Sequence, residues 1–265
     1  MISKDQLQEL YNDHKLSQSQ IGCRLGISRS RVGQLMTKYD IQPRGYVAAS
    51  ENMHKQRAII FNNHQEQLIL GSMLGDANLH RWTMISNKKS KNKLNGYKLT
   101  FAHSVKQIDY LTHKRSIIGG SKIGQRISGF GAIIKHFSFC NSASMGPYVR
   151  LCLNKDNQKL ISQEWLDKLD WCGIAYWYMD DGSLIITKNR PQIQFHTESF
   201  NTDERELLRT MLRNRFGLET SLRQCNNDIN QQKIVSKYKH QVAPFLNHLS
   251  VYIIPSMRYK IRWII

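Results

Sequence analysis

The chain of 265 residues carries only five cysteines, Cys23, Cys140, Cys152, Cys172 and Cys225. The count is odd and no two stand as a CxxC pair, which argues against a disulfide framework or a zinc ribbon and fits reduced thiols in an intracellular protein. The ten histidines show no close ligand spacing, so a structural zinc site is not expected either. Apolar runs fall far short of a membrane span. The N-terminal Met1-Ile-Ser-Lys-Asp-Gln lacks the apolar core of a signal peptide. Acids are scarce: 20 Asp and Glu stand against 38 Lys and Arg, a net charge of +18. That balance points to a polyanion, most often nucleic acid. The length allows one large domain or two.

The most informative stretch is Gly173-Ile-Ala-Tyr-Trp-Tyr-Met-Asp180-Asp181-Gly182. A run this apolar predicts a helix packed on all sides. Gly182 is expected to close it in the left-handed geometry that glycine tolerates. Acids at a helix C-terminus oppose the macrodipole, so a cation is expected there. Leu68-Ile-Leu-Gly71-Ser-Met-Leu-Gly75-Asp76 repeats the pattern about 100 residues earlier. β-rich and helical patterns follow each run in the same order. This predicts a duplicated half-domain, with two helices packed together and Asp76 and Asp181 at their shared end. Two acids so placed suit a divalent cation such as Mg²⁺, with phosphate oxygens and water completing the shell. Such a centre can activate water and stabilise the leaving oxygen in phosphodiester hydrolysis.

Residues 1–44 read as a separate helix-turn-helix domain. Asp5 to Asn12 forms a first helix; Ser17 caps Gln18 to Leu25, Gly26 turns the chain, and Ser28 caps Arg29 to Tyr39. Ile21, Val32 and Leu35 face inward, and Gly22 lets the helices cross. Arg29, Arg31 and Gln34 face out, types suited to base edges and phosphates. A helical hairpin for protein contact is the alternative. Residues 45–57 read as a linker.

Residues 58–158 and 159–265 form the two half-domains. In the first, a hairpin surrounds a lysine-rich turn containing Lys88, Lys89, Lys91 and Lys93, with Lys98 following. Phosphate contact is favoured there over a merely solvated face. Ile133 to Phe139 is a strand. In the second, a hairpin turns at Lys188 and Arg190, Thr202 caps Asp203 to Phe216, and Thr220 to Arg223 pairs with Lys233 to Lys239. Arg81, Lys135, Arg190, Arg223, Lys233 and Lys237 are the strand candidates for groove contact.

Leu70 to Asp76 and Ala175 to Gly182 resemble the two signature helices of the LAGLIDADG homing endonucleases, in particular the monomeric two-repeat branch that includes the mitochondrial omega-intron endonuclease. The similarity continues through Thr197-Glu-Ser-Phe200, Leu212 to Phe216 and Ile254 to Lys260. It implies an α+β fold: two pseudo-symmetric αββαββα half-domains forming a saddle on DNA, preceded here by the small all-α helix-turn-helix domain. It implies that Asp76 and Asp181 bind the metals and each cut one strand, and that Lys159 and Lys260 lie near the active centres. Asp180 is expected to support its neighbour rather than bind metal.

The expected function is that of a Mg²⁺-dependent, site-specific double-strand DNA endonuclease. It would act as a monomer on a long target and promote mobility of its own gene or host intron. An RNA maturase binding intron RNA and a non-catalytic transcription regulator are the alternatives. The expected location is the cytoplasm of a bacterium or phage-infected cell, with an organelle the second choice.

Overall fold

A computed structural model describes residues 2–44, 58–85, 93–129, 131–188, 190–225 and 228–262. The expected linker lies outside them. The chain divides into two compact units, residues 1–59 with 83–95, and residues 60–82 with 96–265.

The N-terminal unit contains α1 (Lys4–Gln8), which runs on as a π-helical turn over Glu9–Asp13, then α2 (Gln18–Leu25) and α3 (Arg29–Lys38). Ser17 and Ser28 are the N-caps, each accepting a backbone N–H with its side chain. Gly26 adopts φ +67, the left-handed turn expected of it. A side chain on Gly22 would meet the Ile27 carbonyl oxygen at 2.7 Å, so the turn closes on a bare backbone. Leu7, Tyr11, Ile21, Val32, Leu35, Met36 and Ile41 make this unit's own core. Arg44 ends it, stacked 4.1 Å over the Tyr11 ring.

After the N-terminal helices the chain repeats one order of elements twice. The first half runs α4 (Asn63–Leu74), β1 (Asn78–Ile85), β2 (Lys93–Ser104), α5 (Ile108–Ile118), β3 (Gly124–Ile127), β4 (Ile133–Phe139) and α6 (Ser142–Cys152). The short α7 (Gln163–Asp167) follows. The second half runs α8 (Trp171–Asp181), β5 (Gly182–Thr187), β6 (Arg190–Phe195), α9 (Thr202–Phe216), β7 (Thr220–Cys225), β8 (Asp228–Ser236) and α10 (Lys239–Ser250). A 3₁₀ segment, Pro255–Ile261, closes the described chain. Each half is an αββαββα unit. The sheet orders β1-β2-β4-β3 and β5-β6-β8-β7 are the same, and β2 with β4, β3 with β4, β5 with β6, β6 with β8 and β7 with β8 all pair antiparallel. One core joins both halves, with Trp165, Trp177, Phe101, Phe137 and Phe195 among its largest fully buried side chains.

Several local expectations are corrected. Asn201, not Thr202, caps α9, because Asn201 and Glu204 exchange side-chain and backbone bonds as a capping box. The strand after residue 228 stops at Ser236, and Lys239 already begins α10. Gly182 is extended, at φ −80 and ψ 152, since β5 starts there. Its lack of a side chain is required by packing: a Cβ would lie 2.1 Å from the Tyr178 ring.

Candidate active site

The site is built where α4 and α8 end. The two helices touch backbone to backbone, since a Cβ on Gly71 would lie 2.1 Å from the Gly173 carbonyl oxygen. Nearer their N-terminal ends, Gln67 bridges them: its Nε2 donates to Lys168 O at 2.7 Å and its Oε1 accepts from Asp170 N at 2.8 Å. Asp170 caps α8 by accepting from the N–H groups of Cys172 and Gly173. Helices fixed so closely carry Asp76, two residues past the end of α4, and Asp181, the last residue of α8, to one place. The Asp76 charge raises the Asp181 pKa.

Asp180 is fully enclosed. Its Oδ1 accepts from Lys114 Nζ at 2.6 Å and from Tyr110 Oη at 2.8 Å, and its Oδ2 accepts the Asp76 backbone N–H at 3.3 Å. A carboxylate bound so fully is a supporting group. His103, also enclosed, places Nδ1 3.2 Å from Asp76 Oδ2 and Nε2 3.9 Å from Asp180 Oδ1. Donor atoms of Asp76, His103 and Asp180 therefore lie within 4.8 Å of one another.

The two outer acids differ in character. Burial would raise the Asp76 pKa, but the His103 contact and the charges of His103, Lys114 and Lys260 outweigh it and hold the carboxyl below its ordinary value. Asp181 is pushed up to about 7, first by burial and then by the charges of Asp76 and Asp180, against the pull of Lys159 and Lys260. This carboxylate is under-compensated by the protein's own cations. The donor set at the helix ends is hard oxygen, which suits Mg²⁺ or Ca²⁺.

Both expected lysines are here. Lys260 Nζ reaches the carbonyl oxygens of Met179 (2.5 Å), Gly182 (2.9 Å), Asp180 (3.1 Å) and Tyr178 (3.3 Å). It is the cation that the α8 C-terminus needs. Lys159 Nζ donates to Gly75 O at 3.3 Å, at the end of α4. Burial lowers the pKa of both ammonium groups, opposed by the acids.

Strand register sorts the basic candidates. In the second sheet Phe195 pairs with Ile234 towards the core, while Gln194 pairs with Val235 and Arg223 with Lys233 on the other face. Lys188, Arg190, Arg223 and Lys237, with Lys239, line a groove of about 760 Å³. Lys233 lies 3.5 Å from Glu198. In the first sheet Phe101 pairs with Phe137 on the core side and His103 with Lys135 in the same alternation. Lys135 therefore falls on the core side, bonded to Gln125 at 2.7 Å. Arg81 shares its face with buried Leu79, two residues back, but is itself exposed. The outward side instead gathers Lys98 with His80, Arg126 and His136. Burial first, and then the charges of Lys98 and Arg126, lower both imidazole pKa values.

In α3, Arg29, Arg31 and Gln34 are exposed, and Arg31 Nη1 donates to Gln34 Oε1 at 3.1 Å. Lys93 opens β2; Lys88, Lys89 and Lys91 lie outside the described residues. Sequence reasoning missed His103, Tyr110 and Lys114. A signal existed for the last, because Lys114 stands between Tyr110 and Ile118 on the buried i, i+4 stripe of α5.

Comparison with known proteins agrees with this architecture. The chain is 29% identical over 238 residues to a protein named RecA from Mycolicibacterium flavescens, covering 83% of this chain and 52% of that protein. It thus spans about half the length of the first curated relatives it matches. It is 25% identical over 244 residues to a probable intron-encoded endonuclease 1 of Wickerhamomyces canadensis, covering 86% of this chain and 96% of that one. Among solved structures, the homing endonuclease I-WcaI bound to its DNA recognition sequence shares the fold, with a TM-score of 0.63 and 22% identity over 83% of this chain and 96% of that one. The family model described as the LAGLIDADG DNA endonuclease family matches residues 66–240, most of the chain. Two glycine-packed helices ending in acids, each leading one αββαββα half, are thus the signature of the group to which this chain belongs, the LAGLIDADG DNA endonuclease family.

Proposed function

We propose that the chain is a site-specific endonuclease that cuts both strands of duplex DNA with Mg²⁺. The observation that carries this reading is the meeting of Asp76 and Asp181, one from each half, at helix ends flanked by the buried ammonium groups of Lys159 and Lys260. Asp76 and Asp181 would hold divalent cations through their carboxylate oxygens, each acid serving the cut on one strand, with the phosphodiester supplying other ligands. A cation so held would lower the pKa of its water and steady the leaving oxygen. Lys159, with one long bond to a carbonyl, is free to approach a developing phosphorane charge. Lys260, committed to four carbonyls, keeps the end of α8 in place.

Both acids come from one chain, which supports a monomer that treats the two strands with its two halves. The groove formed by Lys188, Arg190, Arg223 and Lys237 supports backbone contact on the second sheet, and Lys98 with Arg126 supports it on the first. Arg29, Arg31 and Gln34 of α3 would extend the recognised site through a second major-groove reader.

The test is incubation with a duplex spanning the uninterrupted insertion site of the gene, in Mg²⁺ and in EDTA. Staggered cutting in Mg²⁺ alone supports the reading. Tight binding without cutting in Mg²⁺ would instead make the chain a regulator.

A further inference from the structure

Among the described residues, the enclosed group that Asp180 of the second half forms with Lys114, Tyr110 and His103 of the first has no counterpart at the other helix end. Asp180 precedes Asp181 in α8, and Gly75 takes the corresponding place before Asp76. A Cβ on Gly75 would lie 2.4 Å from the Asp180 Cβ, so the two positions face each other and only one can carry a side chain. The second half places α9 where the first places α5. Its buried charged residues are turned elsewhere: Glu204 accepts from Ile161 N and Asn201 N, and Arg205 donates to Thr197 O and Glu198 O. The first half thus reaches across the helix pair and grips the second half's Asp180, whose other oxygen holds the Asp76 backbone N–H. His103 Nδ1 lies 3.2 Å from the Asp76 carboxylate on the same side.

We propose that Asp180 and His103 are positioning residues for Asp76 alone, so that the two strand cuts are supported unequally. Lys114 and Tyr110 fix Asp180, Asp180 fixes the Asp76 backbone, and His103 fixes its carboxylate. Lys260 holds the backbone carbonyls on either side of Asp181, but no described side chain bonds the Asp181 carboxylate. This rests on the nuclease reading for its consequence but not for its geometry.

Two measurements on the full chain test it. Hydrogen exchange at the Asp76 amide reads the clamp without any activity. It is expected to be slow in wild type and faster by roughly tenfold in Asp180→Asn, the scale on which supporting groups act. Cutting of a duplex labelled separately on each strand reads the consequence. In His103→Gln the rate on one strand is expected to fall roughly 10–100-fold while the other stays within about twofold. The double variant Lys114→Met with Asp180→Leu removes the enclosed pair together, which keeps the core folded, and is expected to show the same bias. Equal slowing of both strands, or unchanged exchange at Asp76, would overturn the proposal. If wild type cuts neither strand, the nuclease reading fails while the exchange measurement still decides the positioning.

Discussion

Lys260 Nζ lies 2.5 Å from the carbonyl oxygen of Met179, at the end of the helix that carries Asp181. Three more carbonyls of the same turn lie within 3.3 Å. Negative charge from the helix end and from three acids converges here, and one ammonium meets the backbone share of it. Lys260→Met leaves these carbonyls without their cation. The expected cost is about 1–3 kcal/mol, typical of an unsatisfied buried group. Urea denaturation checks it, and a change under about 0.5 kcal/mol, the scale of ordinary surface substitutions, would contradict the role given to Lys260.

The contact of Gly71 with Gly173 sets how closely the acids can approach. Gly71→Ala forces the helices apart and should cost at least about 1–3 kcal/mol, the range for overpacking. Gly26→Ala meets no neighbouring atom and suffers only the strain of φ +67, about 1 kcal/mol. The order of the two unfolding midpoints is the check.

Asp181 gives the metal-free protein a pH dependence with a definite sign. Burial and the charges of Asp76 and Asp180 push its carboxyl up to about 7 in the folded chain, against 3.8 for a free aspartate. The stability it contributes is fully present below pH 3.8 and is lost as the pH rises through 7. Asp76 acts in the opposite sense, but its lowered pKa confines that effect to below pH 3.8. The lowered pKa values of His80 and His136 act in the opposite sense over this range, so Asp181 is isolated by comparison with Asp181→Asn: the thermal midpoint of wild type relative to that variant should decline between pH 4 and 7 in EDTA. Mg²⁺ should restore more stability at pH 7.5 than at pH 5, because it binds the ionised form.

The position of each lysine relative to the sheets predicts its effect on DNA affinity. Arg190→Ala and Arg223→Ala should each reduce the slope of log affinity against log salt by about 0.9. Lys135→Ala, on the core side and bonded to Gln125, should leave the slope unchanged. Equal effects from all three would mean that strand alternation does not define the DNA face.

The two acids and the halves they head were legible in the sequence because each is a local pattern: an apolar run, small residues, then Asp. The caps at Ser17 and Ser28 are equally local, each a side chain bonded three residues on. The surroundings of the acids were not legible. Lys114 meets Asp180 across 66 residues, and His103 meets Asp76 only after β2 is laid against its neighbours. The faces taken by the groove candidates Lys135 and Arg81 had the same limit. A strand's composition names its basic residues, but pairing decides which face they take. Gly182 shows the same limit in reverse: its glycine answers the Tyr178 ring, a contact that looked from the sequence like a turn.

The most direct measurement is strand cutting by Asp76→Asn and Asp181→Asn beside wild type in Mg²⁺, with DNA affinity taken in Ca²⁺. If the two acids jointly form the metal centre, both variants bind DNA as wild type does. Each loses roughly a thousandfold or more in double-strand cutting, the several kcal/mol that a metal centre supplies. Double-strand cutting at the wild-type rate by either variant would contradict the account.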